Sequence, residues 1–166
     1  MPHYQTDGSC CCGGGDCCPA TGSVVGCTGC ADTYTFQLPS VFTDECACWN
    51  GESVFLEQAT NISLEPYCIW DNFTTQTLPC PEGIETIGGY MECDSVECEW
   101  VVQIFIGTQG LYPCSEIIIE ARIANTDGCP PTGDWPITSW TWGSGSATGC
   151  SPCTEIDLSG EVVTVS

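Results

Sequence analysis

The chain has 166 residues and a formal net charge of −21 at pH 7, because its 22 Asp and Glu face a single cationic side chain, Arg122. This balance excludes nucleic acid as a partner, since phosphate contacts need Lys and Arg, and it disfavours binding to an anionic membrane. Apolar residues make up 42 % of the chain, which predicts one packed core rather than disorder. No apolar run has the length of a membrane span, so we expect no membrane insertion.

The first 30 residues differ in character from the rest. They are rich in Gly and Cys and contain little that could pack, and glycine lets the backbone turn sharply enough for adjacent cysteines to face different partners. From residue 32 onwards strand-like segments begin. We therefore expect two parts, a Cys/Gly-rich N-terminal arm over residues 1–30 and a β-domain over residues 31–166.

The β-domain shows the two-residue alternation of half-buried strands. In the segment 33–38, polar residues alternate with Tyr34, Phe36 and Leu38, and Pro39 ends the pattern. Further strands are predicted at 53–58, 67–70, 89–93, 99–106, 116–124, 137–142 and 161–166. The segment 99–106 is apolar on both faces, which indicates a central position between two layers.

The connecting segments are dense in Gly, Pro, Asp and Ser, and we find no capped amphipathic helix of three turns. Short strands separated by turns are typical of all-β proteins. We therefore predict a disulfide-stapled β-sandwich, of immunoglobulin-like or jelly-roll type, with the Cys/Gly-rich arm at its N-terminus.

The cysteine content is as unusual as the net charge. The 17 cysteines reach the level typical of a disulfide scaffold and are spread over nearly the full length. Because the total is odd, at least one sulfur is free, bound to something else or paired with another chain, and the pairing is not readable from the sequence. The predicted disulfide cysteines are Cys10, Cys11, Cys12, Cys17, Cys18, Cys27, Cys30, Cys46, Cys48, Cys68, Cys80, Cys93, Cys98, Cys114, Cys129, Cys150 and Cys153.

Disulfides require an oxidising environment, which export normally provides. The start MPHYQTDGS lacks the basic and then apolar pattern of a signal peptide. We therefore expect either a processed chain or an unusual exit, or a protein made in a cytoplasm and released by lysis, as virus particles are. The expected location is extracellular or on a virion surface.

A zinc site is the alternative use of the cysteines. The pairs CTGC (27–30) and CSPC (150–153) have the spacing of zinc ribbons and together would supply four thiolates. Their separation along the chain is unusual for such a site, and Gly and Pro between cysteines also suit a tight disulfide turn. We favour disulfides and assign no metal ligands.

Catalysis is not expected. The only histidine, His3, lies near the terminus, so a Ser or Cys nucleophile has no positioned imidazole base, and without Lys there is no Schiff-base chemistry. The carboxylate pairs Glu116 with Glu120 and Asp94 with Glu97 resemble a glycosidase dyad, but such pairs arise by chance in so acidic a chain. We predict a protein that is not an enzyme and has no catalytic residues.

Two features suit a secreted, monomeric binding module for calcium or carbohydrate. The acidic segments 92–99 and 125–134 offer oxygen ligands, so calcium is a possible cofactor and cations are possible partners of the surface. Trp135, Trp140 and Trp142 would form a carbohydrate platform or an interface if exposed, and core residues if buried. The sequons at Asn61 and Asn72 are candidate glycosylation sites.

The sequence also shows a resemblance at the level of spacing. The segments LPSVF (38–42), CACWNGESVFLEQ (46–58) and CIW (68–70), then Cys80, EWVVQIFI (99–106) and GCSPC followed by EIDLSGEVVTVS carry it. Over residues 17–166 they resemble a group of uncharacterised cysteine-rich β-proteins from environmental bacteria such as planctomycetes and from phage particles. The extra N-terminal cysteines and the near absence of basic residues depart from that pattern. The resemblance implies a stapled β-domain in an extracellular or virion setting.

The function expected from these features is that of a non-enzymatic structural subunit of an extracellular assembly. Such a subunit would be a virion surface or tail protein, or the subunit of an extracellular filament. Self-association into a homopolymer or particle would use the N-terminal arm or the exchange of a terminal strand such as EVVTVS (161–166). The equal alternative for the arm is that it folds back and staples its own domain. The alternatives are the secreted binding module and a zinc-binding cysteine-rich protein.

Overall fold

The computed structural model describes residues 30–58, 69–72, 76–80, 85–94, 96–107, 115–126, 128–144 and 153–166. Within these ranges the chain forms nine strands and one short 3-10 helix, so the prediction of an all-β protein is confirmed. The strands are β1 (Thr33–Gln37), β2 (Ser53–Gln58), β3 (Ile69–Asp71), β4 (Gln76–Thr77), β5 (Thr86–Asp94), β6 (Glu99–Ile106), β7 (Ser115–Ala124), β8 (Gly133–Ser144) and β9 (Val162–Val165), and the 3-10 helix is Asp44–Trp49.

The strands close into an eight-stranded antiparallel β-barrel. The order around the wall is β3, β2, β1, β9, β8, β7, β6 and β5, and β5 then pairs with β3 to complete the ring. Strand β4 adds a ninth, two-residue pairing to β5, along the same edge that β3 uses. The prediction of a β-sandwich, whether immunoglobulin-like or jelly-roll, is therefore wrong.

The sequence pattern does not reveal that the sheet closes on itself through β3. Alternation of apolar and polar residues shows that a strand has one buried face, but not whether that face meets a second sheet or the far wall of its own sheet. The barrel closes through the three residues of β3, Ile69–Asp71, because this strand pairs with β2 on one side and with β5 on the other.

The interior of the barrel is filled by large apolar side chains. Trp70 is fully buried, and Tyr34 and Trp100 meet it edge-on at ring-centroid distances of 5.4 Å and 5.7 Å. Phe36 and Trp135 form a similar pair at 5.5 Å. The described part of the barrel thus encloses a packed core, as expected for an eight-stranded barrel whose lumen is narrow enough for side chains to fill.

Strand β6 shows how the sequence pattern maps onto the wall. Its bounds are those predicted, and Trp100, Val102, Ile104 and Ile106 are all fully buried. The alternate residues face outwards, where Val101 is nevertheless only 5 % exposed. The second apolar face therefore belongs to a covered part of the outer wall, and not to a strand between two layers.

Most of the predicted arm, residues 1–29, lies outside the described residues. Its last residue, Cys30, begins the described chain and leads directly into β1. Among the described helices, none has the length and apolar character needed to cross a membrane.

Candidate functional site

One end of the structure is built around the 3-10 helix. The preceding loop is held by Asn50, whose side-chain oxygen accepts from the Phe42 N–H at 2.8 Å and whose amide donates to the Phe42 carbonyl at 2.9 Å. The helix buries Cys46 and Trp49. Because Trp49 stacks on Trp142 of β8 with ring centroids 6.0 Å apart, the helix is packed onto the barrel.

Two disulfides fix this helix to distant parts of the chain. Cys46 is bonded to Cys153, 107 residues away, and Cys48 is bonded to Cys80, 32 residues away. Side chains two residues apart on a 3-10 helix point in different directions, because each residue advances by a third of a turn. The two cysteines of CAC therefore reach different partners, and we call the helix with these two bonds the stapled helix.

A third disulfide anchors the start of the barrel. Cys30 is bonded to Cys129 in the connection between β7 and β8, with a sequence separation of 99 and a Cα–Cα distance of 5.3 Å. Nearby, the Tyr34 hydroxyl donates to the Pro130 carbonyl at 3.1 Å. The point where the predicted arm joins the β-domain is therefore covalently fixed to the opposite half of the sequence.

Every cysteine in the described ranges is oxidised, since Cys93 and Cys98 are also disulfide-bonded. The protein is disulfide-rich, and its disulfides indicate a non-cytoplasmic, oxidising environment. The remaining predicted disulfide cysteines lie outside the described residues: Cys10, Cys11, Cys12, Cys17, Cys18, Cys27, Cys68, Cys114 and Cys150.

These bonds bear on the zinc alternative. Cys30 and Cys153, one from each of the two CxxC pairs, are bonded to separate partners and are not thiolates in this state. In the part of the chain that the structure describes, no group of three or more His, Cys, Asp or Glu side chains is arranged to hold a metal ion.

The outer wall carries a second feature, centred on Arg122 of β7. Its Nε donates to Glu120 at 2.8 Å, and its Nη1 contacts Glu99 at 3.1 Å and Asp94 at 3.3 Å. Strands β5, β6 and β7 each supply one carboxylate. We call Arg122 and these three carboxylates the Arg122 cluster.

The register of the three strands creates this cluster. Asp94 and Glu99 are directly opposite each other across β5 and β6, where two like charges repel. Arg122 lies on the same outer face of β7, one strand further on, and bridges both carboxylates. The side chain therefore converts a repulsive pair into a three-strand ion network.

A hydrogen-bond chain extends the cluster across the wall. The Tyr90 hydroxyl donates to Gln103 at 2.9 Å, and the Gln103 amide donates to Glu120 at 3.1 Å. Tyr90, Gln103 and Glu120 are successive neighbours across β5, β6 and β7, so the chain runs at right angles to the strands.

The pKa values of these groups follow from their contacts. The pKa of Asp94 lies below its usual value, first because the Glu97 N–H donates to it, and also through Val96 N–H and Arg122. The hydrogen bond from Arg122, with one from Gln103, lowers the pKa of Glu120.

The pKa of Tyr90 changes in the opposite direction. Burial raises it first, and the charges of Glu92 and Glu120 raise it further. Asp94 and Glu120 are therefore held as anions near neutral pH, while the phenol of Tyr90 keeps its proton.

The cluster borders an open depression of about 270 Å³ on the outer wall. It is lined by Glu92, Cys93, Asp94, Val101, Gln103, Glu120 and Arg122. Because one guanidinium contacts carboxylates from β5, β6 and β7, this arrangement ties three strands together electrostatically. Sequence reasoning missed it, because its members come from three strands whose register the sequence does not reveal.

The predicted carboxylate pairs are not placed as dyads in the described structure. Glu120 is engaged by Arg122 and Gln103, while Glu116 lies beside Gly143 of β8. Asp94 accepts the backbone N–H of Glu97, so that these two residues share a turn.

The other predicted positions are distributed as follows. Trp135 is fully buried, and Trp140 and Trp142 pack against the core. Asn72 is half-buried, and its side-chain oxygen accepts from the Gly89 N–H at 2.8 Å. Asn61 lies outside the described residues.

The acidic segment 125–134 begins with a buried side chain. Asn125 is only 1 % exposed, and its side-chain oxygen accepts from the Gly128 N–H at 2.9 Å. Asp134 is exposed and accepts from the Thr164 hydroxyl at 2.9 Å. These two predicted oxygen ligands are thus engaged with the protein itself.

No family model matches the sequence, and the searches of curated proteins and of solved structures found no match either. The resemblance to cysteine-rich proteins of environmental bacteria and phage particles therefore stays a prediction from spacing.

Proposed function

We propose that the protein is a non-enzymatic structural subunit of an extracellular assembly, such as a virion surface or tail protein or an extracellular filament. The observation that carries the proposal is the oxidation of every described cysteine, with bonds that join segments 32, 99 and 107 residues apart. Disulfides of this kind each contribute about 2–4 kcal/mol. Durability on that scale suits a subunit that stays assembled outside the cell.

Of the two candidate linking elements, the terminal strand and the N-terminal arm, the pairing of the barrel favours the arm. Strand β9 pairs with β1 on one side and β8 on the other within the same chain. Donation of this strand to a neighbour would break both pairings, so the strand exchange expected for residues 161–166 is disfavoured. The arm adds seven cysteines, counting Cys30, and removing its first 18 residues takes away no part of the described barrel.

The proposal is tested by deleting residues 1–18 and measuring both mass in solution and folding. We expect the truncated protein to lose assembly in sedimentation velocity while its tryptophan fluorescence keeps the signature of a buried core. Normal assembly of the truncated protein would contradict the role of the arm.

A matched control keeps residues 1–18 and removes only their five sulfurs, by replacing Cys10, Cys11, Cys12, Cys17 and Cys18 with serine. If the arm fastens copies through disulfides, this variant should lose covalent multimers just as the truncation does. A full-length protein that is monomeric under all conditions would instead favour the secreted binding module for calcium or carbohydrate.

A further inference from the structure

The protein has no cationic side chain to offer to another copy of itself. Arg122 is the only Lys or Arg in the sequence, against 22 Asp and Glu. Its guanidinium already contacts Asp94, Glu99 and Glu120 of its own chain. An ion pair between two copies would therefore have to take Arg122 away from three carboxylates.

The carboxylates are distributed around the wall of the barrel. Exposed acids occur on β2, on β5, in the turn after β5, on β8 and in the segment before β9: Glu57, Glu92, Glu97, Asp134 and Glu155. Glu57 is also directly opposite Asp71 across β2 and β3, with like charges facing each other. These parts of the structure all present negative charge. Two copies of the chain therefore repel each other whichever of these parts come face to face.

This repulsion must be neutralised by something other than the protein. At an ionic strength of about 0.01 M the Debye length is roughly 30 Å, so the charges of two approaching barrels act on each other in full. At about 0.15 M it falls to roughly 8 Å, and mobile cations screen the facing walls. Net charge of this size keeps a protein monomeric when it is unscreened.

From these observations we infer that association between copies of this chain requires cations taken up from solution between their acidic walls. The inference rests on the proposed function, since it concerns the assembly of like subunits. It makes salt a switch for assembly: copies stay apart in dilute buffer and associate when cations are supplied. No ordered ion site within one chain is needed, because the cations are shared between two surfaces.

The test is sedimentation velocity of the full chain, oxidised in NaCl at about 10 mM and at about 150 mM, where the Debye lengths differ several-fold. We expect the ratio of multimer to monomer to rise at least about tenfold at the higher concentration. Tryptophan fluorescence at each concentration verifies that the monomer is folded in both. An equal ratio in the two buffers would overturn this inference and leave the proposed function standing, whereas the absence of multimers from both would overturn the two together.

Two variants separate charge from other effects of salt. Replacing the exposed Glu57 and Glu155 with glutamine removes two charges, and should shift assembly to a lower NaCl concentration. Replacing the exposed Thr132 with glutamate adds a charge in the connection between β7 and β8 and should shift assembly to a higher NaCl concentration. Shifts in the same direction for both variants, or none for either, would overturn the inference.

Discussion

Replacing both Cys30 and Cys129 with serine should destabilise the protein by about 4 kcal/mol. The bond spans 99 residues, but Cys46–Cys153 already ties the two halves of the chain together. With that second bond in place, the loop that Cys30–Cys129 closes shrinks to about 40 residues, for which loop-closure entropy gives roughly 4 kcal/mol. Both cysteines are only half-buried, so serine is accommodated without a large packing defect.

Trypsin provides the assay, because the sequence contains one cleavage site, after Arg122. This site lies inside β7, which pairs with β6 from Ile117 to Ala124 and with β8 from Ser115 to Ala121, so cleavage requires β7 to open. When opening and closing are fast, the cleavage rate follows the population of the open form, and 4 kcal/mol corresponds to roughly a thousandfold acceleration. The product stays joined without reductant, because Cys46–Cys153 spans the cut.

The matched control replaces Cys48 and Cys80, whose bond closes 32 residues and does not span Arg122. Loop entropy predicts a loss of about 3.7 kcal/mol for this variant, so cleavage should accelerate nearly as much. An acceleration below about tenfold for Cys30 and Cys129 would refute the reasoning. A control variant that is cleaved no faster than the unmodified protein would also refute it. The faster cleavage without Cys30–Cys129 would then come from local loosening near Arg122 and not from a change in the unfolded chain.

Two further substitutions test the packing and the electrostatics of the wall. Gly89→Ala should cost about 2–3 kcal/mol in denaturant unfolding, because the new Cβ would lie 2.6 Å from the backbone oxygen of Gln103 and would push β5 from β6. Gly143→Ala is the control and should cost less, because its Cβ would meet no backbone atom and only the side chain of Glu116, at 3.0 Å from a carboxylate oxygen and 3.3 Å from the Cβ. Arg122→Met should cost on the order of 1 kcal/mol at pH 7, since partly exposed ion pairs contribute about 0.2–1 kcal/mol each and three pairs share one guanidinium. Arg122 lowers the pKa of Glu120 from its ordinary 4.5. The loss of stability on Arg122→Met should therefore be fully present above pH 4.5 and shrink as the pH falls through the folded-state pKa of Glu120. A loss of stability that stays constant down to pH 2 would contradict the role of the ion pairs.

The strands were predictable where a strong period-two pattern met clear turns. Strand β6 has the predicted bounds, and β2 likewise covers residues 53–58. The two-residue β4 and the 3-10 helix were missed, because neither is long enough to show a period. Closure of the barrel was not predictable either, since it depends on a double pairing of three residues in β3.

The candidate site was predictable in kind but not in arrangement. Cysteine content alone predicted disulfides, but the pairing of Cys46 with Cys153 and of Cys48 with Cys80 depends on the stapled helix and its place at one end of the barrel. The Arg122 cluster depends on register across three strands. A single arginine among many acids signals that it has partners, and only the fold shows which ones.

The most direct test of the account is the intact mass of the native protein in denaturant without reductant, after free thiols are alkylated. Since the chain has 17 cysteines, a monomer without other adducts must carry at least one alkyl group, whereas two linked copies can pair every sulfur. The account predicts masses at even multiples of the chain, with no alkyl groups, that collapse to the monomer on reduction. A monomeric mass carrying one or more alkyl groups would contradict the cross-linked assembly.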